Sequence, residues 1–253
     1  MINRGDPAQT VPAVRDWVER TLEEHRRPLT ALAAAIARLV VAPPVAAPTL
    51  DRPALEAVAS DAATRIIAES DLAIGAGFIA APGAVEGTPR YMLWLQRREP
   101  APSRLRLNFD PTDVDAYDYV TMDWYTRTEA THTATLTGPY LDYAGSGVLV
   151  LTLCVPVLAN GVFVGIAATD LRAQTAEDRL TRELCRLEHD AVVVNRERAI
   201  VASNSGRWLP GESLATVPSA TASEFPVITP LVDWSGWVLA EPATAPPTQR
   251  PER

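Results

Sequence analysis

Apolar residues recur at helical spacing in the first quarter of the chain. They lie three or four positions apart over residues 11–41 and again over residues 51–69, which predicts two amphipathic helices. Pro28 removes one backbone hydrogen-bond donor, so we expect it to kink or divide the first helix. The stretch that joins the helices is rich in proline and is predicted to be a linker, after which Asp51 caps the second helix. Residues 1–69 are therefore predicted to form an N-terminal helical extension.

From about residue 70 the hydrophobic pattern changes to that of β-strands. Short apolar runs bounded by turn-forming residues predict strands over residues 72–81, 91–97, 105–109, 148–158, 162–171, 191–194 and 199–203. Two of these runs meet at Asn160-Gly161, and this dipeptide tolerates the positive φ that a tight hairpin turn requires. Helices are predicted over residues 113–127 and 175–187. The pattern predicts one α+β domain over residues 70–205, in which helices flank an antiparallel sheet.

The C-terminal segment, residues 206–253, is rich in Ser, Thr, Ala and Pro. It contains one further strand candidate, residues 234–240, and we expect it to end in a disordered tail.

The composition excludes several kinds of partner. The formal net charge is −8, and phosphate binding needs a basic surface, so we expect no nucleic acid. The most apolar stretch, residues 29–41, is interrupted by Arg38 and is shorter than the roughly 20 residues of a membrane span. The first residues have no basic segment followed by an apolar run, so no signal peptide is predicted and we expect a cytoplasmic protein.

The cysteines and histidines give no sign of a metal or a cofactor. Cys154 and Cys185 lie in two different apolar runs without the spacing of a metal site or redox pair, so we expect reduced, structural thiols. His25, His132 and His189 are scattered along the chain. The sequence therefore predicts neither a metal site nor a cofactor.

The most informative motifs lie within residues 116–171. They are Trp124-Tyr125, Gly138-Pro139-Tyr140 with Asp142, Val155-Pro156-Val157, the Asn160-Gly161 turn, and Gly165-Ile166 leading to Asp170-Leu171. In combination they resemble the Cache (PDC, PAS-like) family of small-molecule sensor domains. The resemblance implies a PAS-like antiparallel sheet, whose hairpin and preceding helix and loop enclose a pocket for a small metabolite. It also implies a non-catalytic sensing role.

Amino-acid-binding members of that family share a pattern of pocket residues. The pattern is a Tyr, then Arg-x-Trp-Tyr, then Tyr-x-Asp, then an Asp on the hairpin. The positions that match it, and that the resemblance identifies as candidate ligand-binding residues, are Tyr117, Trp124, Tyr125, Tyr140, Asp142 and Asp170. Met122 stands where the pattern has its Arg, and a thioether cannot grip a carboxylate as a guanidinium does.

The residues themselves support part of this assignment. On a helix, Tyr117, Thr121, Trp124 and Tyr125 would share one face. Without the resemblance, such an aromatic stripe is more typical of a hydrophobic core than of a binding site. Asp170 has the same strand parity as Ile166 and Ala168, so its side chain is expected to point inward. A buried carboxylate requires a partner, which is either a ligand ammonium or a contact within the protein.

Aromatic faces and carboxylates together favour a cationic ligand. We therefore expect a small amine or an amino-acid-like ligand, with amines slightly favoured because the Arg is missing at Met122. Arg127 or His132 are candidates to replace it. Asp123 lies off the aromatic face and is expected to be solvated.

Other functions remain open at this point. The same pocket could bind a small carboxylate, or the chain could be a structural or protein-interaction module with a degenerate pocket. A hydrolase is disfavoured because the sequence contains no nucleophile elbow, P-loop or paired metal motif. As a sensor, we expect a free-standing chain that acts through a separate signalling protein, such as a transcription regulator, and that forms a homodimer through its N-terminal helices.

Overall fold

Helices and antiparallel strands alternate along the chain in the computed structural model, which describes residues 7–41, 49–110, 112–218 and 224–242. The predicted α+β class is confirmed. The chain divides into two compact units. One contains residues 20–176, and the other contains the described residues before 20 and after 176.

The helices and strands have the following bounds. The helices are α1 (Pro7–Leu39), α2 (Arg52–Glu69), α3 (Asp123–Thr131) and α4 (Ala173–Leu184). The first eight strands are β1 (Val40–Val41), β2 (Thr49–Leu50), β3 (Ala73–Ala80), β4 (Met92–Gln96), β5 (Ser103–Arg104), β6 (Thr135–Leu141), β7 (Leu149–Ala159) and β8 (Val162–Arg172). The last four are β9 (Val192–Val194), β10 (Ile200–Ser203), β11 (Val227–Val232) and β12 (Trp237–Glu241).

The two N-terminal helices form where the apolar spacing predicts them. The helix is not divided at Pro28, because α1 continues through it to Leu39. A proline removes only one hydrogen bond, and the adjacent residues Leu29, Leu32 and Ile36 are buried and hold the helix in place. The predicted cap of α2 is confirmed, since the side chain of Asp51 accepts a hydrogen bond of 3.0 Å from the backbone N–H at the third helical position.

The unit of residues 20–176 is built on a six-stranded antiparallel sheet in the order β5-β4-β3-β8-β7-β6. Alternate residues of its central strands, among them Ile79, Trp94, Cys154 and Ala168, face an aromatic cluster that includes α3. The residues between them face the other way, and α2 packs against β3 and β4. Helices thus flank the sheet, as predicted.

The hairpin between β7 and β8 turns at Asn160-Gly161, as the sequence predicts. Asn160 and Gly161 both have positive φ, at 52° and 80°. The two strands pair over their full length, but the register shifts by one residue between Val157 and Leu158. This bulge decides which side chains of β7 share a face with those of β8.

Strand β6 is absent from the sequence-based predictions. It contains a second register shift between Thr137 and Tyr140, at Gly138-Pro139. If β6 had no extra residue, Pro139 would lie on the same face of the sheet as Thr137. The bulge places Tyr140 on that face instead. The bulge therefore positions one of the candidate site residues.

The segment between β5 and α3 differs from the prediction. Residues 105–109 alternate between partly buried and exposed positions but extend no strand, and β5 ends at Arg104. The helix predicted over residues 113–127 begins only at Asp123, after a single 3-10 turn over Tyr119–Thr121. The aromatic residues of this segment therefore do not lie on one helix face.

The second unit contains a four-stranded antiparallel sheet in the order β10-β9-β12-β11. The predicted hairpin of β9 and β10 is present, and β9 pairs further with β12. The C-terminal segment contributes two strands to this sheet rather than the one expected. The range 70–205, predicted to be the ligand-binding domain, thus includes strands of both units, and the tail predicted to be disordered lies outside the described residues.

Candidate ligand-binding site

A cavity of about 400 Å³, including its open mouth, lies on the face of the six-stranded sheet that meets α3. Its walls come from five strands, the segment after β5, α3 and the loop after β6. The polar side chains that line it belong to Tyr117, Tyr140, Asp142, Thr152 and Asp170. The apolar and indole side chains are those of Ile79, Met92, Trp94, Leu105, Leu107, Trp124, Ala144 and Ala168.

Five of the six candidate residues line this cavity: Tyr117, Trp124, Tyr140, Asp142 and Asp170. Tyr125 does not. Its ring packs edge-on against Tyr119 and Phe163 in the aromatic cluster, and its buried hydroxyl has no hydrogen-bond partner within the described residues. Because α3 starts at Asp123, the neighbouring Trp124 and Tyr125 point to different places on the helix surface.

Asp170 is the most deeply buried carboxyl group of the cavity, with 7% of the residue exposed. A chain of two hydrogen bonds holds it. The hydroxyl of Thr152 donates to Asp170 Oδ1 at 2.7 Å, and the hydroxyl of Tyr140 then donates to Thr152 Oγ1 at 2.7 Å. Within the described residues the other oxygen, Oδ2, receives no hydrogen bond, so the carboxylate has capacity for a further donor.

Burial raises the pKa of Asp170 to about 7, the hydrogen bond from Thr152 opposes this rise, and the negative charge of Asp142 adds to it. Burial disfavours the charged form of a carboxyl group, and no basic side chain lines the cavity within the described residues to compensate it. A cation placed beside Asp170 would restore the ionised form.

Asp142 forms part of the loop that follows β6. Its Oδ1 accepts a hydrogen bond of 3.1 Å from the backbone N–H of Gly145, and its Oδ2 accepts one of 2.6 Å from that of Ser146. These bonds fix the loop beside the cavity, where Gly145 is also part of the lining. They leave the negative charge of Asp142 unneutralised, since both donors are neutral.

Tyr117 stands within the electrostatic field of both carboxylates. Burial and then the charges of Asp142 and Asp170 raise the pKa of its phenol above the usual range. The phenol therefore stays neutral at ordinary pH. It can accept a hydrogen bond from a cationic ligand while its ring and that of Trp124 provide aromatic surface.

The sequence analysis did not identify the other lining residues, among them Trp94 and Thr152. Trp94 lies over Gly75, where an added Cβ would come within 2.6 Å of the indole Nε1, so only glycine leaves room for the ring. The alternation of Met92 and Trp94 along β4 is the signal that could have identified Trp94. Thr152 gave no comparable signal, because its pairing with Asp170 depends on the register shift in the hairpin of β7 and β8, where β8 has one extra residue.

The position at which the family pattern has its Arg also lies away from the cavity. Met122 is half-buried at the N-cap of α3 and packs against the aromatic cluster. Neither candidate for its replacement lines the cavity: Arg127 lies further along α3, and His132 stacks on Phe163 at its C-terminal end. The site as built offers hydrogen-bond acceptors and aromatic faces without a guanidinium.

Metal and membrane features were also sought among the described residues. Over that part of the chain, no three His, Cys, Asp or Glu side chains are grouped so as to hold a metal ion. Nor does any described helix combine the length and apolar character needed to cross a bilayer.

Comparison with known proteins gives one family match. Residues 60–178 match the family model for the first PDC sensor domain of proteins like methyl-accepting chemotaxis proteins. That family consists of sensor domains and not of enzymes. No curated protein sequence matches the chain significantly.

Several solved structures share the fold at low sequence identity. The ligand-binding domain of the Campylobacter jejuni chemoreceptor Tlp3 in complex with L-valine is 13% identical, with a TM-score of 0.57 over 83% of this chain and 74% of that one. Its complex with L-norvaline is 16% identical, with a TM-score of 0.55 over 79% and 69% of the two chains. The extracellular domain of a protein assigned as a histidine kinase is 15% identical, with a TM-score of 0.59 over 93% and 91%.

Proposed function

Because residues 60–178 of this chain are a PDC sensor domain of the Cache type, we propose that the cavity binds a small amine, or an amino-acid-like ligand through its amino group. The observation that carries this proposal is Asp170. It is a buried carboxyl group on the cavity wall with one hydrogen bond and no cationic partner among the described residues.

An ammonium group fits this environment for two reasons. It would donate a charge-assisted hydrogen bond to the unoccupied oxygen of Asp170, a type of bond that is about twice as strong as one between neutral groups. The faces of Trp124 and Tyr117 would add about 0.5–2 kcal/mol of cation–π attraction. The chain of hydrogen bonds from Tyr140 and Thr152 holds Asp170 in place before the ligand arrives.

A carboxylate as the only charged group of the ligand is disfavoured. Its charge would face Asp142 and Asp170, and no Arg or His side chain lines the cavity within the described residues. For the same reason we favour amines over amino acids, since the acid group of an amino acid would have no guanidinium to bind. The structural C. jejuni relatives bind amino acids, which keeps the amino acid as the second candidate.

The experiment is a thermal-shift screen of the full chain against amines, amino acids and small carboxylates. A ligand at 100 times its dissociation constant adds about 2.7 kcal/mol of stability, which is readily measured. We expect amines to give the largest shifts, and Asp170→Asn to abolish them. Asp123→Asn is the matched control, because Asp123 is exposed and lies outside the cavity lining.

The outcomes separate the candidates. A shift that Asp123→Asn preserves and Asp170→Asn removes supports the amine site. If amino acids bind, amines do not, and Arg127→Ala abolishes the binding, the amine preference is wrong. Absence of a shift with any compound would favour a protein-interaction module with a degenerate pocket.

We further propose that the domain passes its signal to a separate protein and forms a homodimer through α1 and α2. An open groove between these helices supports this; small and apolar side chains such as Ala35 and Ala62 line it, together with the charged Asp61, Arg65 and Glu69. Light scattering of the purified chain tests it: we expect a dimer that Ala35→Glu dissociates, and a monomeric wild type would rule it out. The cytoplasmic location stays a prediction, since the similar histidine-kinase domain is extracellular.

A further inference from the structure

We infer that His25 makes this domain sensitive to protons at a junction separate from the ligand cavity. The neutral imidazole holds α1 on the connection between α2 and β3, and acidification releases it. The inference goes beyond the proposed function, because it requires no ligand. It follows from the tautomer that the neighbours of His25 impose, from the use of every hydrogen-bonding position of the Ser70 hydroxyl, and from the positive charge of Arg97 on the same residue.

His25 lies on α1 and is buried, with 5% of the residue exposed. Its ring contacts two oxygen atoms. Nδ1 lies 2.7 Å from the backbone carbonyl oxygen of Thr21, and Nε2 lies 2.7 Å from the hydroxyl oxygen of Ser70. A carbonyl oxygen only accepts hydrogen bonds, so Nδ1 carries the proton of the neutral ring. Nε2 is then an acceptor, and the hydroxyl of Ser70 donates to it.

The hydroxyl of Ser70 is fully used in this arrangement. Its Oγ accepts hydrogen bonds from the backbone N–H groups of Leu72 at 3.1 Å and of Ala73 at 3.2 Å, while its proton goes to His25. A hydroxyl has one proton and two lone pairs, so all three positions are occupied. A second proton on His25 would set two donors against each other. Ser70 would then have to turn its proton away and release one of the two backbone N–H groups, both of which belong to buried residues.

A positive charge on His25 would also meet the positive charge of Arg97, which follows β4. The Arg97 guanidinium donates from Nε to the carbonyl of Ala73 at 3.0 Å and from Nη2 to the carbonyls of Ile67 and Ser70. It therefore binds the last carbonyls of α2 and the residue that His25 contacts. Two like charges on one buried residue disfavour the protonated ring.

The other charged groups around the junction offer little compensation. The residues one helical turn from His25 on α1 are uncharged: Thr21, Leu22, Pro28 and Leu29. Its neighbours in the chain are the exposed Glu24 and Arg26, which pairs with Glu23. On the other side, Glu69 and Asp71 flank Ser70 and are exposed, so water screens their charge.

The junction also leads directly to the ligand cavity. Ser70 ends α2, and β3 begins three residues later. In that strand Gly75 pairs with Asp170 and lies under the indole of Trp94. The contact between His25 and Ser70 thus joins α1 to a strand that supports two residues of the cavity.

The test is hydrogen exchange with mass spectrometry on the full chain at about pH 7.5 and about pH 5.5, a range in which histidine changes charge. The parent protein is Asp170→Asn, because Asp170 itself titrates in this range. After correction for the chemical exchange rate, we expect the amide protection of residues 20–39 and 70–73 to fall about tenfold at the lower pH, the effect of about one unsatisfied buried group. Adding His25→Gln should remove this pH dependence, since an amide does not titrate. Adding His132→Gln is the matched control and should preserve it, because His132 is exposed at the end of α3.

Protection of residues 20–39 that is equal at both pH values overturns the inference, and so does an equal fall in the variant with His25→Gln. A fall of the same size throughout the chain also overturns it, because this indicates global destabilisation rather than release of α1. Nitrogen NMR of the wild type gives a check without any variant at His25. At about pH 7.5 the ring should carry its proton on Nδ1, and a proton on Nε2 would contradict the arrangement. The amine site is tested separately, since these samples contain no ligand.

Discussion

At the scale of single residues, the buried carboxyl group of Asp170 controls how stability depends on pH. Its pKa of about 7 in the folded chain lies above the value of about 3.9 in an unfolded chain. The stability that this group contributes is therefore complete below pH 4 and is lost as the pH rises through 7.

We expect Asp170→Asn to be more stable than the wild type at pH 8 by about 2–4 kcal/mol in the absence of ligand, since the variant never carries the buried charge. The advantage should disappear as the pH falls toward 4. Thermal denaturation of both proteins across this range measures it, with Asp123→Asn as the control that should track the wild type. If the wild type were as stable as Asp170→Asn at pH 8, other groups of the protein would already stabilise the buried negative charge of Asp170.

The same group should make the affinity of the proposed amine ligand depend on pH. An ammonium requires the ionised carboxylate, so each unit below pH 7 should weaken binding about tenfold, and the affinity at pH 5 should be about 100-fold lower than at pH 8. Calorimetric titration of one amine at several pH values provides the measurement. Affinity that stays level between pH 8 and pH 5 would place the ammonium away from Asp170.

Single residues also show where sequence-based prediction ends. The inward direction of Asp170 could be predicted from strand parity, but its partner could not. Counting back from the Asn160-Gly161 turn pairs Asp170 with Leu151, and only the bulge near Val157 moves the pairing to Thr152. Tyr125 was placed at the site by analogy, and the late start of α3 turns it into the aromatic cluster instead.

At the scale of elements, an ionic cluster attaches α2 to the strand that leads into the cavity wall. One oxygen of Glu56 in α2 accepts hydrogen bonds from the Tyr91 hydroxyl at 2.7 Å and from Arg104 of β5 at 3.1 Å. These contacts, with a further one from Arg52, lower the pKa of Glu56 to about 2. Leu105 and Leu107, which follow Arg104, line the cavity, so the cluster positions part of its wall.

We expect Arg104→Ala to loosen the segment of residues 105–109 while it changes global stability little. The cluster is partly exposed, so its loss should cost at most about 1 kcal/mol of global stability. The two-residue strand β5 has few other bonds, so backbone amides of residues 105–109 should exchange faster with solvent. Hydrogen exchange with mass spectrometry measures this, and Arg106→Ala, which alters an exposed neighbour, is the control. Equal exchange in both variants would show that the cluster does not hold the wall.

At the scale of elements α1, α2, α4 and the main hairpin were predictable, because local spacing and turn chemistry determine them. Strands β6 and β11 were not. Strand β6 is interrupted by Gly138-Pro139, which masks its alternation, and β11 contains Pro230 within its sequence. Strand β6 pairs with β7, and β11 pairs with β12, in each case across the segment that joins the two strands. Their strand conformation depends on this pairing, which the local hydrophobic pattern does not reveal.

At the scale of the whole molecule, the negative charge should attract a cationic ligand before it reaches the cavity. The net charge is −8, and the exposed Asp110, Asp113 and Asp115 lie on the segment between two lining residues, Leu107 and Tyr117. A negative electrostatic field accelerates the association of a cationic ligand, and dissolved salt screens this field.

We expect the association rate of an amine to fall several-fold between about 20 and 300 mM salt, with little change in its dissociation rate. Stopped-flow measurements that follow tryptophan fluorescence can test this, because Trp94 and Trp124 line the cavity. Asp113→Asn combined with Asp115→Asn should reduce the salt dependence. An association rate independent of salt would confine the role of charge to the cavity itself.

The family resemblance seen in the sequence is confirmed by the match of residues 60–178, and so is the absence of an enzymatic role that it implied. The division into units could not be predicted, since it depends on the pairing of β9 with β12, more than forty residues apart. Local patterns identified the hairpin of β9 and β10 but gave no information on which sheet it joins.

The unusual proton affinity of Asp170 has a consequence for the kind of signal this domain can send. Below neutral pH the unliganded site already holds a proton on Asp170, and the ammonium group of the proposed ligand would replace it. Binding would then be an exchange of one cation for another, and the total charge of the domain would be nearly the same before and after. A partner protein would have little change in electrostatic potential to detect. It would have to respond to shape: a proton occupies almost no volume, whereas the ligand fills space between the sheet, α3 and the loop that Asp142 holds.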